Sequence, residues 1–324
     1  MKRLISLLLC ALLIVPALAE DAPDFEPIPW DIKVSPNLPN PDCYLPNNGG
    51  YHDDSIDIQI NVTYWTQDLQ QVDAPGEGTT TVMSARVKLT DVSQFRTGFA
   101  NKYPSKQARH VNDMTKRFKA VMGIDGDYCL YHEQGIVVRN GQTLRMRPHK
   151  GRDELIVDEN GDFHLITCTT QAKWDEYIAG GGTVLHAFCF GPALVVDGVP
   201  LTSLDDVTID NGKAKKAQRM VIGQIGKLEY LILTNEGPES TAPKSVGFDL
   251  VQMANLCVQF GLNNAYNLDG GSSSTIALNN QKINSPSSHK NRMVGDCIWF
   301  ATLVKEETWR EEESVQTVED KKSK

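Results

Sequence analysis

GIVVRNGQTLRM, residues 135–146, decides the fold class of this chain. Two short strand-like runs, 135–139 and 142–146, flank Asn140-Gly141, a dipeptide that accepts the left-handed backbone of a two-residue hairpin turn. The same unit recurs along the chain. Runs at 154–157 and 162–167 flank Glu159-Asn160-Gly161, 193–196 ends in Asp197-Gly198, and 220–225 and 228–234 flank Gly226-Lys227. Such hairpins pair strands antiparallel. Residues 55–65 alternate Ile56, Ile58, Ile60 and Val62 with polar residues, which is strand periodicity, and 80–89 supplies a partner. A last strand is expected over 296–304. Two helices are expected: 105–119, opened by Pro104, and 246–260, apolar on most sides with Gly261 at its C-cap. The fold class expected is therefore α+β, with mixed, mainly antiparallel sheets, a few packing helices and a single domain at 51–304.

The flanks read differently. Residues 1–19 carry Lys2 and Arg3, an apolar run at 4–15 and Ala17-Leu18-Ala19, the pattern of a cleaved secretory signal. That apolar run is short for a membrane span, so an exported product without a stable span is expected. Residues 20–50 are rich in Pro, Asn and Asp and suit an irregular arm, and 305–324 form a mostly charged, solvated tail. A net charge of −9 without clustered Lys and Arg argues against nucleic acid as a partner. Cys43, Cys129, Cys168, Cys189, Cys257 and Cys297 remain after signal cleavage, and an oxidising compartment permits disulfides among them, with buried free thiols as the alternative. None of these cysteines has the CxxC spacing of a zinc site.

The chemistry concentrates at NLDGGSSST, residues 267–275. Two glycines let a backbone turn and let a ligand approach unshielded amides, and the hydroxyls that follow suit an anionic, oxygen-rich group such as a phosphate. A tight turn whose serines satisfy their own backbone explains the same spacing. The segment lacks a P-loop lysine and does not match GxGxxG, so a nucleotide is a poor fit. Asp125 and Asp127 form a DxD that, with Asp269, can assemble oxygen ligands for a divalent ion, although short acidic patterns also populate solvated turns. No cofactor is otherwise expected. His186, inside an apolar strand, reads as a core histidine.

These residues do not stand alone. Residues 267–275 resemble the NLDGGGSST signature of the phosphodiester glycosidase family, MGIDGDY at 122–128 resembles its AINGDYF segment, and GIVVRNG at 135–141 resembles GLVIRNG. FGPALVVDG at 190–198 is similar to GGPLLVKDG, QRMVIG at 218–223 stands for RRTAIG, and NRMV at 291–294 stands for ERxV. Order is kept from about residue 84 to 304. Asp125 stands where the family usually has Asn, Ser272 where a third Gly is usual, and Asn235-Glu236-Gly237 where DGR is common.

The resemblance implies a secreted hydrolase that cleaves the bond between a sugar's anomeric carbon and a phosphodiester, in a cell-surface or extracellular glycoconjugate. Phosphate monoester is a good leaving group, so the enzyme has to bind charge and supply a carboxylate to water or to the sugar. Asp269 is the first candidate for that carboxylate, with Asp127 and Glu236 as partners. Asp269 also suits a cap on the glycine turn, and Asp127 an ordinary turn residue. Arg219 and Arg292 are expected on the phosphate, unless they form structural ion pairs. The amides of Gly270, Gly271 and Ser272, with Asn267, Ser273 and Gly191, complete the expected substrate contacts. The rival function is a noncatalytic exopolysaccharide-associated module that binds sugar phosphate through the same pocket.

Overall fold

The computed structural model describes residues 36–205, 215–240, 244–284 and 291–310. The expected signal, residues 20–35 of the expected arm and 311–324 of the expected tail lie outside the described residues. Within them every strand pairing is antiparallel, as the hairpin turns require. A ten-stranded sheet runs in the order Tyr44–Leu45, Gly50–His52, Ile56–Trp65, Thr80–Leu89, Glu229–Asn235, Arg219–Gly226, Asn264–Asn267, Ala193–Val196 and Val199–Pro200, with Gln71–Val72 on the side of Ile56–Trp65. Two five-stranded sheets complete the α+β architecture. One is ordered Phe163–Ile166, Glu154–Val157, His186–Phe188, Gly135–Arg139, Gln142–Arg147, and the other Gln281–Lys282, Ile276–Leu278, Met122–Asp125, Asp296–Phe300, Phe95–Phe99.

Alternation along the strands decides what each face covers. Met220, Ile222, Tyr230, Ile232 and Tyr266 of the large sheet share one core cluster with Leu155, Phe188, Ile124, Ile276 and Phe300 of the two smaller sheets. Val221, Leu231, Leu233 and Ala265 point the other way and pack with Leu250, Met253, Ala254, Leu256 and Cys257 of the helix Leu250–Gln259. That helix begins at an Asp249/Gln252 capping box, and Gly261 beyond its end has a φ of +81°, as its place after the helix predicts. Phe95 sits where the layers meet, with ring centroids 5.2 Å from Tyr230, 5.5 Å from Phe300 and 6.1 Å from Phe163.

Most hairpins fall where the turn residues place them: Asn140 and Gly141 have φ of 51° and 73°, and Asp197 and Gly198 have φ of 49° and 79°. The helix expected at 105–119 is shorter, Val111–Phe118, with His110 as its N-cap. Ahead of it Arg109 exchanges both backbone hydrogen bonds with Val294, and this distant partner holds 108–110 extended. Val62 is 47% exposed in spite of the alternation, because the strand leaves the covered core at residues 61–64 before Trp65 returns to it. The six described cysteines are free, four of them buried in the core, so the disulfides that the sequence permits are not formed among the described residues.

A buried ionic cluster joins the two smaller sheets. Arg139 Nη2 lies 2.9 Å from Asp127 Oδ1 and 3.1 Å from Asp296 Oδ2, with all three side chains essentially inaccessible. Burial works against the Asp127 carboxylate, but Arg139 and the Cys189 amide outweigh it and hold its pKa below the usual range. Asp296 goes the opposite way, raised by burial and by the Asp127 charge. The guanidinium also rests on the Phe188 ring, 4.3 Å from its centroid. Removing the cation leaves two desolvated carboxyls, so Arg139→Met is expected to lower the free energy of unfolding by about 3–5 kcal/mol in urea titrations, with Asp296→Asn in the same background recovering part of the loss.

Candidate active site

Asn264–Asn267 runs between Arg219–Gly226 and Ala193–Val196, and the glycine segment begins where it leaves the sheet. Leu268 N donates to Met220 O at 2.8 Å, and Asp269 N then donates across to Gly126 O at 3.2 Å. Gly270 passes so close to Gln218 that a Cβ there would lie 2.9 Å from its carbonyl oxygen, and Gly271, at φ +62°, donates its N–H to that same oxygen at 3.0 Å. Thr275 N donates to Asp125 Oδ1 at 2.8 Å, after which Ile276–Leu278 pairs with Met122–Asp125. Residues 267–275 therefore cross from the large sheet to a smaller one, and Asp269 sits at the crossing.

Asp269 is 8% exposed. Burial raises its pKa, opposed by the Ser273 hydroxyl, Arg292 and the Gly270 amide, which donates to its Oδ1 at 2.9 Å. The Arg292 guanidinium lies 5.4 Å from the centroid of Tyr128, whose ring stacks on Tyr131 at 4.5 Å. Tyr128 adopts a left-handed φ of 59°, unusual for an aromatic residue and worth about 1–3 kcal/mol of strain, which the surrounding structure holds in place. A buried acid at a glycine turn thus feels a guanidinium that rests over an aromatic ring.

The other expected residues divide into those drawn to this turn and those committed elsewhere. Gly270, Gly271, Ser272 and Ser273 form the turn itself. Glu236 reaches its vicinity through Gln218, whose side-chain amide donates to Glu236 Oε2 at 3.0 Å. Asn267 and Gly191 bind each other, Nδ2 to carbonyl at 2.8 Å. Arg219 projects to the helix-bearing face, where it donates to the carbonyls of Lys215 and Phe248, and burial pulls its pKa down to about 10. Asp127 is enclosed by Arg139 and by the amides of Cys129 and Cys189. His186 is fully buried, with Asn140 N donating to its Nδ1 at 3.2 Å and burial lowering its pKa, as a core histidine should be.

The carboxylates of the DxD serve separate partners, Asp125 the Thr275 amide and Asp127 the Arg139 guanidinium. The metal-type donors that do converge among the described residues are Asp127, Cys129 and Asp296. Arg139 Nη2 already occupies the cation position between those two carboxylates, a poor match to a metal.

Two further groups stand at this turn, Asp125 of the DxD and Lys282, which no motif singled out. Asp125 is fully buried, and burial first, then the Asp269 charge, push its carboxyl well above the usual range. Its carboxyl stands in a position where the resembled family carries a neutral amide. Lys282, in a hairpin turned by Asn279 and Asn280, places Nζ 3.1 Å from Thr275 Oγ1. Asn279-Asn280 was the only local signal for that hairpin, and nothing local tied its lysine to residue 275.

Comparison with known proteins follows the same residues. A family model described as phosphodiester glycosidase matches residues 118–301. The catalytic domain of zebrafish N-acetylglucosamine-1-phosphodiester alpha-N-acetylglucosaminidase, auto-inhibited by pro-peptide, has a similar fold, with TM-score 0.59 and 14% identity over 83% of this chain and 87% of that one. A hypothetical protein from Synechocystis gives TM-score 0.50 and 13% identity over 77% of this chain and 62% of that one. At such identities the likeness carries the fold. No curated protein sequence matches the chain at a significant level.

The raised pKa of Asp125 has a measurable sign. A carboxyl whose folded pKa is raised contributes stability below its unfolded pKa and loses it as pH rises toward the folded one. Asp125→Asn is therefore expected to stabilise the protein more at pH 8 than at pH 4.5, seen as a larger gain in urea midpoint at the higher pH.

Proposed function

The chain belongs to the phosphodiester glycosidase family, and from that premise we propose that it hydrolyses the bond between a sugar's anomeric carbon and a phosphodiester. The observation that carries this reading is buried Asp269 at a glycine turn inside the matched residues, within electrostatic reach of Arg292. In the reaction a water oxygen bonds to the anomeric carbon while the carbon–oxygen bond to phosphorus breaks, and the phosphate departs with the electron pair. Asp269 takes the proton of that water. Its raised pKa makes it a stronger base than an exposed carboxylate. Arg292 and the amides at Gly270 and Gly271 receive the charge that gathers on the departing phosphate. Tyr128 and Tyr131 give the sugar an apolar face on which to lie.

The signal-like residues 1–19 support an exported protein, and a glycoconjugate at the cell surface or outside it fits that location. No helix among the described residues is long and apolar enough to cross a membrane.

Sugar release from a panel of UDP-sugars and alkyl sugar-1-phosphodiesters tests this assignment. Asp269→Asn is expected to lower kcat by about 10²–10⁴-fold, and the acidic limb of the wild-type kcat/KM profile should lie above the ordinary carboxylate range. Binding of these compounds without release from any of them would instead make the protein a sugar-phosphate binding module.

A further inference from the structure

Contrary to the expectation set by a net charge of −9, Lys and Arg do gather in one stretch. Residues 101–119 carry Lys102, Lys106, Arg109, Lys116, Arg117 and Lys119 against a single acid, Asp113. All of these cations except the half-buried Lys119 are exposed. Among the described residues none of them pairs with a carboxylate. Asp113 is engaged by Asn112, whose Nδ2 donates to its Oδ1 at 3.3 Å. A surface that gathers like charge and leaves it uncompensated carries a local positive potential, whatever the sign of the whole chain.

Two of these cations converge on one atom. Arg109 Nε and Arg117 Nη1 each donate to the carbonyl oxygen of Ala100 at 3.2 Å, so the two nitrogens are no further apart than twice that distance. Ala100 is itself fixed, its N–H donating to Gly295 O at 2.8 Å. Each guanidinium uses one N–H on the shared oxygen, and its other donors meet no acceptor among the described residues. Two exposed forks held side by side with open donors suit a phosphate, which accepts several such contacts at once.

The pair is tied to the candidate active site at two points. Arg109 exchanges both backbone hydrogen bonds with Val294, two residues beyond Arg292. The hydroxyl of Tyr131, whose ring stacks on Tyr128, donates to Lys106 O at 3.2 Å. One strand pairing of about 5 Å and two residues of chain at about 3.3 Å each separate the backbones of Arg109 and Arg292. An extended ligand seated at Arg292 therefore has the arginine pair within reach. We infer that Arg109 and Arg117 form an outer phosphate seat, which takes a neighbouring phosphate of a polymeric substrate, with Lys102, Lys106 and Lys116 as its basic rim. The inference rests on the proposed glycosidase reaction, and it narrows the substrate class to glycopolymers whose units are joined by repeating phosphodiesters.

Titration calorimetry of the full chain with a linear poly(glycerol phosphate) decamer reads this seat without turnover. The Arg109→Met/Arg117→Met protein is expected to bind the decamer at least about tenfold more weakly than the unaltered protein, and to bind an alkyl sugar-1-phosphodiester with one phosphate within about twofold. The slope of log Kd against log salt should shrink by about 1–1.5, as for two lost phosphate contacts. Arg109→Lys/Arg117→Lys keeps the charge and is expected to restore most of the binding. Arg86→Met/Lys88→Met removes the same charge from exposed positions of the strand Thr80–Leu89 and is expected to bind as the unaltered protein does. Equal weakening by that control, no effect of Arg109→Met/Arg117→Met, or no binding of the decamer overturns the seat. Tighter binding of an oligothymidylate of equal length assigns the patch to nucleic acid and overturns it too. Sugar release is scored separately. Decamer binding that depends on Arg109 and Arg117, without sugar release from any phosphodiester, keeps the seat and overturns the glycosidase reaction, whereas release with decamer binding independent of the pair overturns the seat alone.

Discussion

One guanidinium nitrogen shared by two buried carboxylates organises the part of the molecule where chemistry is expected. Arg139 comes from one small sheet, and Asp127 and Asp296 come from the other or its immediate continuation. Neither acid can be left in the interior without its cation, so the two sheets are fixed in one relative placement. The segment between Asp125 and Asp127 is fixed with them. A Cβ on Gly126 would stand 2.3 Å from Asp296 Oδ2, and the Gly126 carbonyl is the acceptor that holds the Asp269 amide. Asp269 is thus located by an ion cluster that joins the two smaller sheets.

How far the sequence reveals this depends on the range of each interaction. Hairpins announced themselves because their turns are local: Asn140-Gly141 and Asp197-Gly198 occupy left-handed conformations that few other pairs accept. The glycine turn at 270–271 was legible for the same reason. Residues 105–110 misled because the apolar spacing of Ala108 and Val111 is helical, whereas the backbone of Arg109 is paired with Val294 far along the chain. Arg219 shows a second limit. Its position in the motif is adjacent to Gln218 and so to the turn, yet strand alternation sends its side chain to the opposite face of the sheet. Lys282 carries no motif at all and becomes visible only when the hairpin folds it against Thr275.

Electrostatics around the turn depend on burial more than on the overall charge of −9. The acids and cations alternate: Arg292 acts on Asp269, Asp269 on Asp125, and Asp125 and Glu236 on Lys282. Burial lifts the Asp125 carboxyl well above its usual range, so the protonation of residue 125 is set by its surroundings more than by the charge of the chain.

The crossing made by residues 267–275 also bears on how this architecture can vary over evolutionary time. Both of its ends are in registered strand pairing, Asn267 against Val221 and Ile276 against Ile124. An insertion of one residue between them would have to bulge beside Gln218 or slip a strand by one position, turning core side chains outward and solvent-facing ones inward. The length of this segment is therefore locked by the sheets it connects. Novelty in what the protein recognises is open to the hairpins and loops around the rim, where length can drift without disturbing either register.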